Sequence, residues 1–238
     1  MKNIEKYYNN TESETPRGNV KYFNEKVKCN LHKAIDLGCG AGNDTVYLIK
    51  NNWNVIAIDR EDVSERIYNR LNQEERKRLK FQKQEFEKIE LEKSDLIVAN
   101  YCLPFCNKNK FDELWDKIKS NLFKNGYFVG NFFGLNDSWN GIKTEMIFLS
   151  RAEVMSLFND FDIVFFNETE NDALTGLGKL KHWHLFNIIA KKKYEKNKMG
   201  LKEGNEIKNI FLCVFWMCYI DFLIKSVWFY CFKENFMI

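Results

Sequence analysis

The sequence is poor in several features that would mark particular protein classes. Its 238 residues include only two prolines, so long proline-rich linkers are excluded. The net charge is +3, from 36 basic and 33 acidic residues. Charges this nearly balanced do not favour a dedicated nucleic-acid-binding protein. No motif recurs at the spacing typical of solenoids. The N-terminal residues hold no apolar run of the signal-peptide kind, and we therefore expect a cytoplasmic protein.

Cysteine usage argues against both a disulfide framework and a zinc site. There are seven cysteines, an odd number, and Cys39 stands inside a glycine-rich stretch. This pattern indicates reduced thiols, most of them in the core. Cys102 and Cys106 are separated by three residues, but no second pair lies near them to complete four ligands. We predict no metal.

Short apolar runs alternate with segments of helical periodicity. Strands are predicted at 33–37, 53–59, 79–84, 95–100 and 127–133, and helices at 44–50, 61–79, 111–123 and 150–159. The alternation predicts an α/β fold, a Rossmann-like and mostly parallel sheet with helices on both faces. Two last strands, 161–166 and 184–191, have no helical pattern between them. They predict an antiparallel hairpin at the C-terminal end of a seven-stranded sheet, with 168–181 as a loop.

The first predicted strand runs into the sequence DLGCGAG, residues 36–42. Glycines at this point let a ligand lie against bare backbone. The spacing is G-x-G-x-G, whereas the dinucleotide fingerprint is G-x-G-x-x-G, and the G-K-[ST] of a P-loop is lacking. The departure indicates a cofactor without a pyrophosphate. Asp59, at the end of the second strand, can accept both hydrogens of a ribose diol. A nucleoside with an amino-acid tail fits, namely S-adenosylmethionine (SAM).

Four features together resemble the class I SAM-dependent methyltransferases. They are D-x-G-x-G-x-G at 36–42, the acid at Asp59, Glu85-Phe86 after strand three and NYCLPF after strand four. The resemblance covers about residues 30–193. Within that superfamily the chain is most similar to the small-molecule branch that includes tellurite-resistance and thiopurine methyltransferases.

The resemblance implies a set of site residues. Those implied to bind the cofactor are Asp36, Gly38, Gly40, Gly42, Asp59, Arg60, Glu85, Phe86 and Asn100. Asn100 and Tyr101 would border the transferring methyl group and are the catalytic candidates. The substrate-binding candidates are Asn131, Asn136, Trp139, His182 and His184, together with the loop 168–181. Plainer roles stay open: Asp36 could tie down the glycine loop, Asp59 could cap a helix, Glu85 could be a solvated charge, and the histidines could pack at the sheet edge.

Methyl transfer from a sulfonium needs alignment above all, and it needs a base only when the acceptor arrives protonated. The sequence offers few bases. The D/N-P-P-Y signature of amino-group methylation on DNA bases and glutamine is absent. We therefore expect a methyltransferase that acts on a small molecule by in-line displacement. The alternatives are a protein or RNA methyltransferase and a SAM-binding regulatory protein without turnover, with an NAD-dependent oxidoreductase last. The sequence leaves the methyl acceptor and the oligomeric state open.

Three segments are expected along the chain. Residues 1–30 form an N-terminal lid or cap, 31–193 the methyltransferase domain, and 194–238 a charged linker with a hydrophobic tail. The apolar run 210–232 is long enough to span a bilayer, but it includes Asp221 and Lys225, each of which costs about 2.5 to 3.5 kcal/mol there. The tail is therefore a membrane anchor, a helix packed on the domain or on a partner, or an unrelated extension.

Overall fold

One seven-stranded sheet organises the protein. The computed structural model describes residues 2–27 and 32–193, so the predicted tail lies outside the described residues. The strands are β1 Lys33–Leu37, β2 Asn54–Asp59, β3 Leu79–Lys83, β4 Ser94–Ala99, β5 Leu122–Phe133, β6 Phe161–Leu174 and β7 Leu180–Lys192. The helices are α1 Lys2–Thr11, α2 Gly18–Lys26, α3 Asn43–Lys50, α4 Ser64–Tyr68, α5 Gln73–Arg76, α6 Phe111–Asn121 and α7 Arg151–Leu157.

The strand order is β3-β2-β1-β4-β5-β7-β6. The first five strands are parallel, and β7 pairs antiparallel with both β5 and β6. This confirms the predicted Rossmann-like fold with its antiparallel C-terminal hairpin. The chain leaves β1 towards β2 on one side and later places β4 on the other. The carboxyl ends of β1 and β4 therefore flank the point where open α/β sheets bind their ligands.

Apolar side chains cover both faces of the sheet. On one face Trp115 of α6 contacts Phe128 and Phe158, with ring centroids 5.1 Å apart in each pair. On the other face Phe23 of α2 packs against Trp53, at 6.1 Å, within a second buried cluster. Because both faces are covered, β1 and β4 are almost entirely buried, as expected for central parallel strands.

Several predicted boundaries are corrected by the structure. The helical pattern at 61–79 forms two short helices, because Asn72 interrupts it and begins α5 with a capping box. Strand β5 begins at Leu122 rather than at residue 127, and Asn125 takes a positive φ of 64° within it.

The predicted loop at 168–181 was wrong. Strands β6 and β7 extend to Leu174 and from Leu180, which leaves a connection of five residues, 175–179. The segment is polar because it forms the exposed end of the hairpin, where acidic residues pair with histidines across the strands: Glu170 lies opposite His184, and Asp172 opposite His182. A polar composition is compatible both with a loop and with such pairs of acidic residues and histidines across two strands.

The N-terminal residues form two helices at the carboxyl edge of the sheet. Arg66 of α4 makes ion pairs with Glu5 of α1 and with Glu12, the residue that follows α1. Asn10 donates to the Gly176 carbonyl at the hairpin tip, at 2.9 Å. Helix α1 thus contacts both α4 and the tip of the C-terminal hairpin. Across 2–27 and 32–193, no helix has the length and apolarity to cross a membrane; the run 210–232 falls outside these ranges.

Candidate functional site

The turn after β1 exposes one stretch of bare backbone. Gly38, Gly40 and Gly42 all have positive φ angles, of 60°, 55° and 79°. A Cβ at Gly38 would collide with Cys102, and one at Gly42 with Ile67, so those two glycines permit close packing. At Gly40 the nearest atom to such a Cβ is 4.0 Å away. The space beside Gly40 is therefore open, and a ligand can approach the main chain there.

Asp59 faces this turn from the end of β2. Its Oδ2 accepts a hydrogen bond from the Gly40 N–H at 2.8 Å. Its Oδ1 accepts from the Glu61 N–H at 3.0 Å and from the Tyr8 hydroxyl at 3.2 Å. The carboxylate is buried but lies beside the open face of Gly40. An acid beside open backbone is the combination that a nucleoside diol needs, and it is the feature of this turn that fits a SAM site.

Asp36 is turned to the fold rather than to open space. Its Oδ2 accepts from the Thr45 hydroxyl at 2.6 Å, which ties β1 to the first turn of α3. Burial raises the pKa of Asp36 well above its usual range, and the nearby Asp44 carboxylate adds to that rise. The contact matches the loop-anchoring alternative, and a role for Asp36 toward the cofactor stays a prediction.

Three amide side chains meet where β4 and β5 end. Asn19 of α2 donates to Asn100 Oδ1 at 2.8 Å, and Asn100 donates to Asp44 Oδ2 at 2.9 Å. Asn131 Oδ1 accepts from the Tyr101 N–H at 2.8 Å. Tyr101 itself has a φ of 53°, a strained value for a residue with a side chain and one that clusters at functional sites. The predicted catalytic pair thus lies in an amide cluster that includes Asn131.

Arg17 completes this end of the sheet. Its backbone N–H donates to Asp44 Oδ1 at 2.7 Å, and its guanidinium lies 4.6 Å from the centre of the Tyr101 ring. The guanidinium pairs with Glu14 at 3.4 Å and its side chain is 37% exposed. It can therefore meet a carboxylate of a bound molecule.

Sequence reasoning missed the functional contacts of Tyr8, Arg17, Asn19 and Asp44. The first three come from the N-terminal segment, which carries no motif and reaches the site only through tertiary contacts. Asp44 did carry a signal, since it lies two residues after Gly42, the last glycine of the turn.

Three predicted cofactor residues lie outside the amide cluster of Asn100. Arg60 is exposed and pairs with Glu61 at 3.8 Å, and Glu85 is exposed at the start of the short 3-10 helix Phe86–Lys88. The ring of Phe86 lies beside Gly38. Their implied roles in binding the cofactor remain predictions.

An aromatic wall extends from Tyr101 toward the hairpin. The Trp183 ring lies 5.7 Å from that of Tyr101 and 5.8 Å from that of Trp139. The Lys181 ammonium lies 3.7 Å from the centre of the Trp183 ring and forms a fully buried ion pair with Asp137. Of the predicted substrate residues, Trp139 therefore belongs to the Tyr101 side of the site.

The two predicted histidines face the opposite side of the hairpin from Trp183. His184 lies 3.1 Å from Glu168 and 3.7 Å from Glu170, and these three groups are close enough to hold a metal ion. However, the Asn136 N–H donates to His184 Nδ1 at 3.1 Å. Nδ1 is thus an acceptor, and Nε2 must carry the ring proton that it donates to Glu168. A metal ion on Nε2 would leave the ring with no proton at all, so the geometry favours a hydrogen-bonded cluster.

His182 and Asn136 also contact acidic residues of β6. His182 contacts Asp172 at 2.7 Å, and this hydrogen bond raises the pKa of the imidazole above its usual value. The Asn136 side chain donates to Glu170 at 3.0 Å. Asn136 therefore anchors the segment after β5 to the hairpin, whereas His182 joins the two strands of the hairpin to each other. Within residues 2–27 and 32–193, no hydrogen bond or ion pair joins them to Asn100 or Tyr101, and a substrate role for either stays a prediction.

The chemistry available at the amide cluster is positioning rather than proton transfer. Amides do not titrate near neutral pH, and burial raises the pKa of the Tyr101 hydroxyl, which keeps it protonated. Around Asn100 the described side chains can orient a reactant and desolvate it. The carboxylate that contacts this cluster, Asp44, is buried and already accepts hydrogen bonds from Asn100 and from the Arg17 N–H.

Comparisons with known proteins agree with this geometry. Residues 30–137 match the family model described as a methyltransferase domain. Comparison with curated proteins gives no match. Among solved structures, TehB from Haemophilus influenzae has a TM-score of 0.63 at 19% identity; the match covers 74% of this chain but only 62% of that one.

Two further structures were solved with S-adenosylhomocysteine (SAH) bound. The N-methyltransferase NodS from Bradyrhizobium japonicum has a TM-score of 0.59 at 13% identity, with 81% of this chain and 98% of that chain covered. The 1,6-didemethyltoxoflavin-N1-methyltransferase from Burkholderia thailandensis has a TM-score of 0.51 at 19% identity, with 68% and 71% covered. Residues 30–137 therefore match a methyltransferase domain, and the described chain has the fold of methyltransferases, two of them solved with SAH bound.

Proposed function

We propose that the protein transfers a methyl group from SAM to a small-molecule acceptor by in-line displacement. One observation carries the proposal: the open backbone at Gly40 is hydrogen-bonded to the Asp59 carboxylate, beside the amide cluster of Asn100. When bound, SAM supplies a methyl group on a positively charged sulfur. Asp59 would hold the ribose hydroxyls, and Gly40 would lie against the adjoining part of the cofactor.

The amide cluster and Arg17 are the groups we assign to the methionine end. Arg17 is the partly exposed cation at this edge, and its guanidinium suits the methionine carboxylate. Asn19 and Asn100 hold each other at 2.8 Å and restrict the space in front of Tyr101. These residues would align the reactants and exclude water, which is the main contribution that this reaction requires.

A small acceptor is favoured by how much of the site edge is covered. Residues of α1 and α2 contact Asp59, Asn100 and the hairpin tip at Gly176. A protein or RNA acceptor would have to displace these helices to reach Tyr101. The aromatic wall next to Tyr101 suits a molecule with apolar surface. One of the structural neighbours, the 1,6-didemethyltoxoflavin-N1-methyltransferase, was solved with 1,6-didemethyltoxoflavin bound, which is a small molecule.

The groups around Asn100 also narrow the acceptor. They are amides, a phenol and the Asp44 carboxylate, whose two oxygens already accept hydrogen bonds from Asn100 and the Arg17 N–H, so an acceptor that needs no deprotonation by the enzyme suits the site. Thiolates and soft oxyanions meet this condition. We therefore assign the acceptor to small nucleophiles that are already deprotonated at neutral pH.

The cofactor half of the proposal is tested by calorimetry with SAH. The wild-type chain should bind SAH, and Asp59→Ala and Gly40→Val should each lower the affinity strongly. Asp62→Ala is the matched control, since Asp62 is an exposed acid on the same loop that contacts Ser64 only locally. No binding by the wild type, or undiminished binding by both site variants, would overturn the assignment.

The acceptor half is tested by turnover. Purified protein and SAM are incubated with a panel of metabolites containing thiols, oxyanions, amines and phenols, and in parallel with protein and RNA fractions. Mass spectrometry follows SAH release and the methylated product. Methylation confined to protein or RNA would refute the small-molecule assignment while leaving the cofactor site intact.

A further inference from the structure

The hydroxyl of Tyr8 occupies part of the carboxylate to which the ribose is assigned. A carboxylate offers about four acceptor positions. At Asp59, hydrogen bonds from the Gly40 N–H, the Glu61 N–H and the Tyr8 hydroxyl take three of them. A ribose diol donates two hydrogens. Asp59 can accept both only after one present donor leaves, and the two backbone donors are fixed by the turns that contain them.

Tyr8 is the donor that can leave, because it belongs to a separate helix. Helix α1 is fastened around the site by polar contacts rather than by strand pairing: Arg66 contacts Glu5 and Glu12, and Asn43 donates to the Thr11 carbonyl at 2.7 Å. The Tyr8 ring is 5% exposed and rests in the buried cluster beside α4. Burial and the Asp59 charge raise the pKa of Tyr8, so its hydroxyl stays a donor.

We propose that Tyr8 is a latch that competes with the cofactor for Asp59, so that α1 must release Asp59 before the ribose binds. The inference rests on the proposed function, because it takes Asp59 as the ribose ligand. In the closed state, the Tyr8 hydroxyl is hydrogen-bonded to Asp59. SAM binding and SAH release both then require an open state in which this hydrogen bond is broken. The helix that covers the site thereby sets the affinity for the cofactor.

The latch is tested with Tyr8→Phe, which removes the hydroxyl and keeps the ring. The full chain is titrated with SAH by calorimetry. The variant should bind SAH about tenfold more tightly than the wild type, since a competing hydrogen bond to a carboxylate is gone. In stopped-flow measurements, the wild-type association rate should level off at high SAH concentration at the rate of latch opening. The plateau should rise or vanish in Tyr8→Phe.

Tyr7→Phe is the matched control, because it removes a hydroxyl from the neighbouring residue, whose ring lies beside Gly176 instead. It should leave both the affinity and the plateau unchanged. An SAH affinity in Tyr8→Phe that equals or falls below that of the wild type would overturn the latch while the cofactor site stands. If neither wild type nor Tyr8→Phe binds SAH, the proposed function fails and the latch fails with it.

Discussion

The buried pair Lys181–Asp137 gives the sharpest test of what holds the aromatic wall of Trp139 and Trp183 together. Both side chains are almost completely inaccessible, and the ammonium also donates to the His182 carbonyl at 3.2 Å. Asp137 Oδ1 accepts from the Trp139 N–H at 2.9 Å. The pair thus ties the segment after β5, which carries Trp139, to the hairpin that carries Trp183.

Lys181→Met should destabilise the protein strongly. It removes the cation that pairs with Asp137 and leaves a carboxylate buried beside aromatic rings. Breaking a buried pair in this way costs about 3–5 kcal/mol. For a domain of this size that corresponds to a fall in Tm of about 6–20 °C. The double variant Lys181→Met with Asp137→Asn should recover most of the loss, because no charge remains and Asn keeps the acceptor for Trp139.

Urea unfolding followed by tryptophan fluorescence measures these differences, since Trp139 and Trp183 both lie against Lys181. Wild type, the two single variants and the double variant complete a double-mutant cycle. A cost below about 1 kcal/mol for Lys181→Met would mean that water reaches Asp137 and that the pair is not a structural tie. A double variant as unstable as the sum of the two single variants would refute the charge argument as well.

Three other changes follow from single contacts. Arg17→Met should weaken SAH binding about 10- to 100-fold but leave the binding of 5′-methylthioadenosine, which lacks the carboxylate, unaltered; equal losses in calorimetry would contradict the assignment of Arg17. Thr45→Val should lower the free energy of unfolding by about 1–3 kcal/mol, because Asp36 loses its hydroxyl donor while buried; urea unfolding at neutral pH checks this, and an unchanged midpoint would argue against the contact. Glu92 bridges two lysines of β1 and β3, and their hydrogen bonds lower its pKa to about 2. Because its folded pKa is depressed, its contribution is complete above the unfolded value of about 4.3 and is lost as the pH falls toward 2. Since the pair is exposed, we expect no more than about 1 kcal/mol, read as a smaller loss of Tm between pH 5 and pH 2 in Glu92→Gln than in wild type.

The amino-acid sequence by itself determined the sheet and the turn at its centre. The side chains of continuous apolar runs such as 33–37 and 95–100 are removed from water only when both faces of the strand are covered. This requirement implies a parallel sheet between helices. Glycines at alternate positions after β1 imply a backbone of unusual φ, and an acid at the end of β2 implies a polar partner nearby. These are local properties, and the fold class and a nucleoside cofactor followed from them. The methyltransferase domain was predicted from the resemblance that the same residues carry to a known family.

Only the tertiary structure decided what surrounds that turn. Tyr8, Arg17 and Asn19 are polar or aromatic residues in a segment without a motif, and they reach Asp59, Tyr101 and Asn100 because helices from the N-terminus pack over the sheet edge. The acidic and histidine residues of 168–184 fit a loop as well as a hairpin, because polarity does not distinguish a solvated loop from a solvated strand. Pairing across the strands settles the difference, and pairing depends on contacts between distant residues rather than on the character of either segment alone.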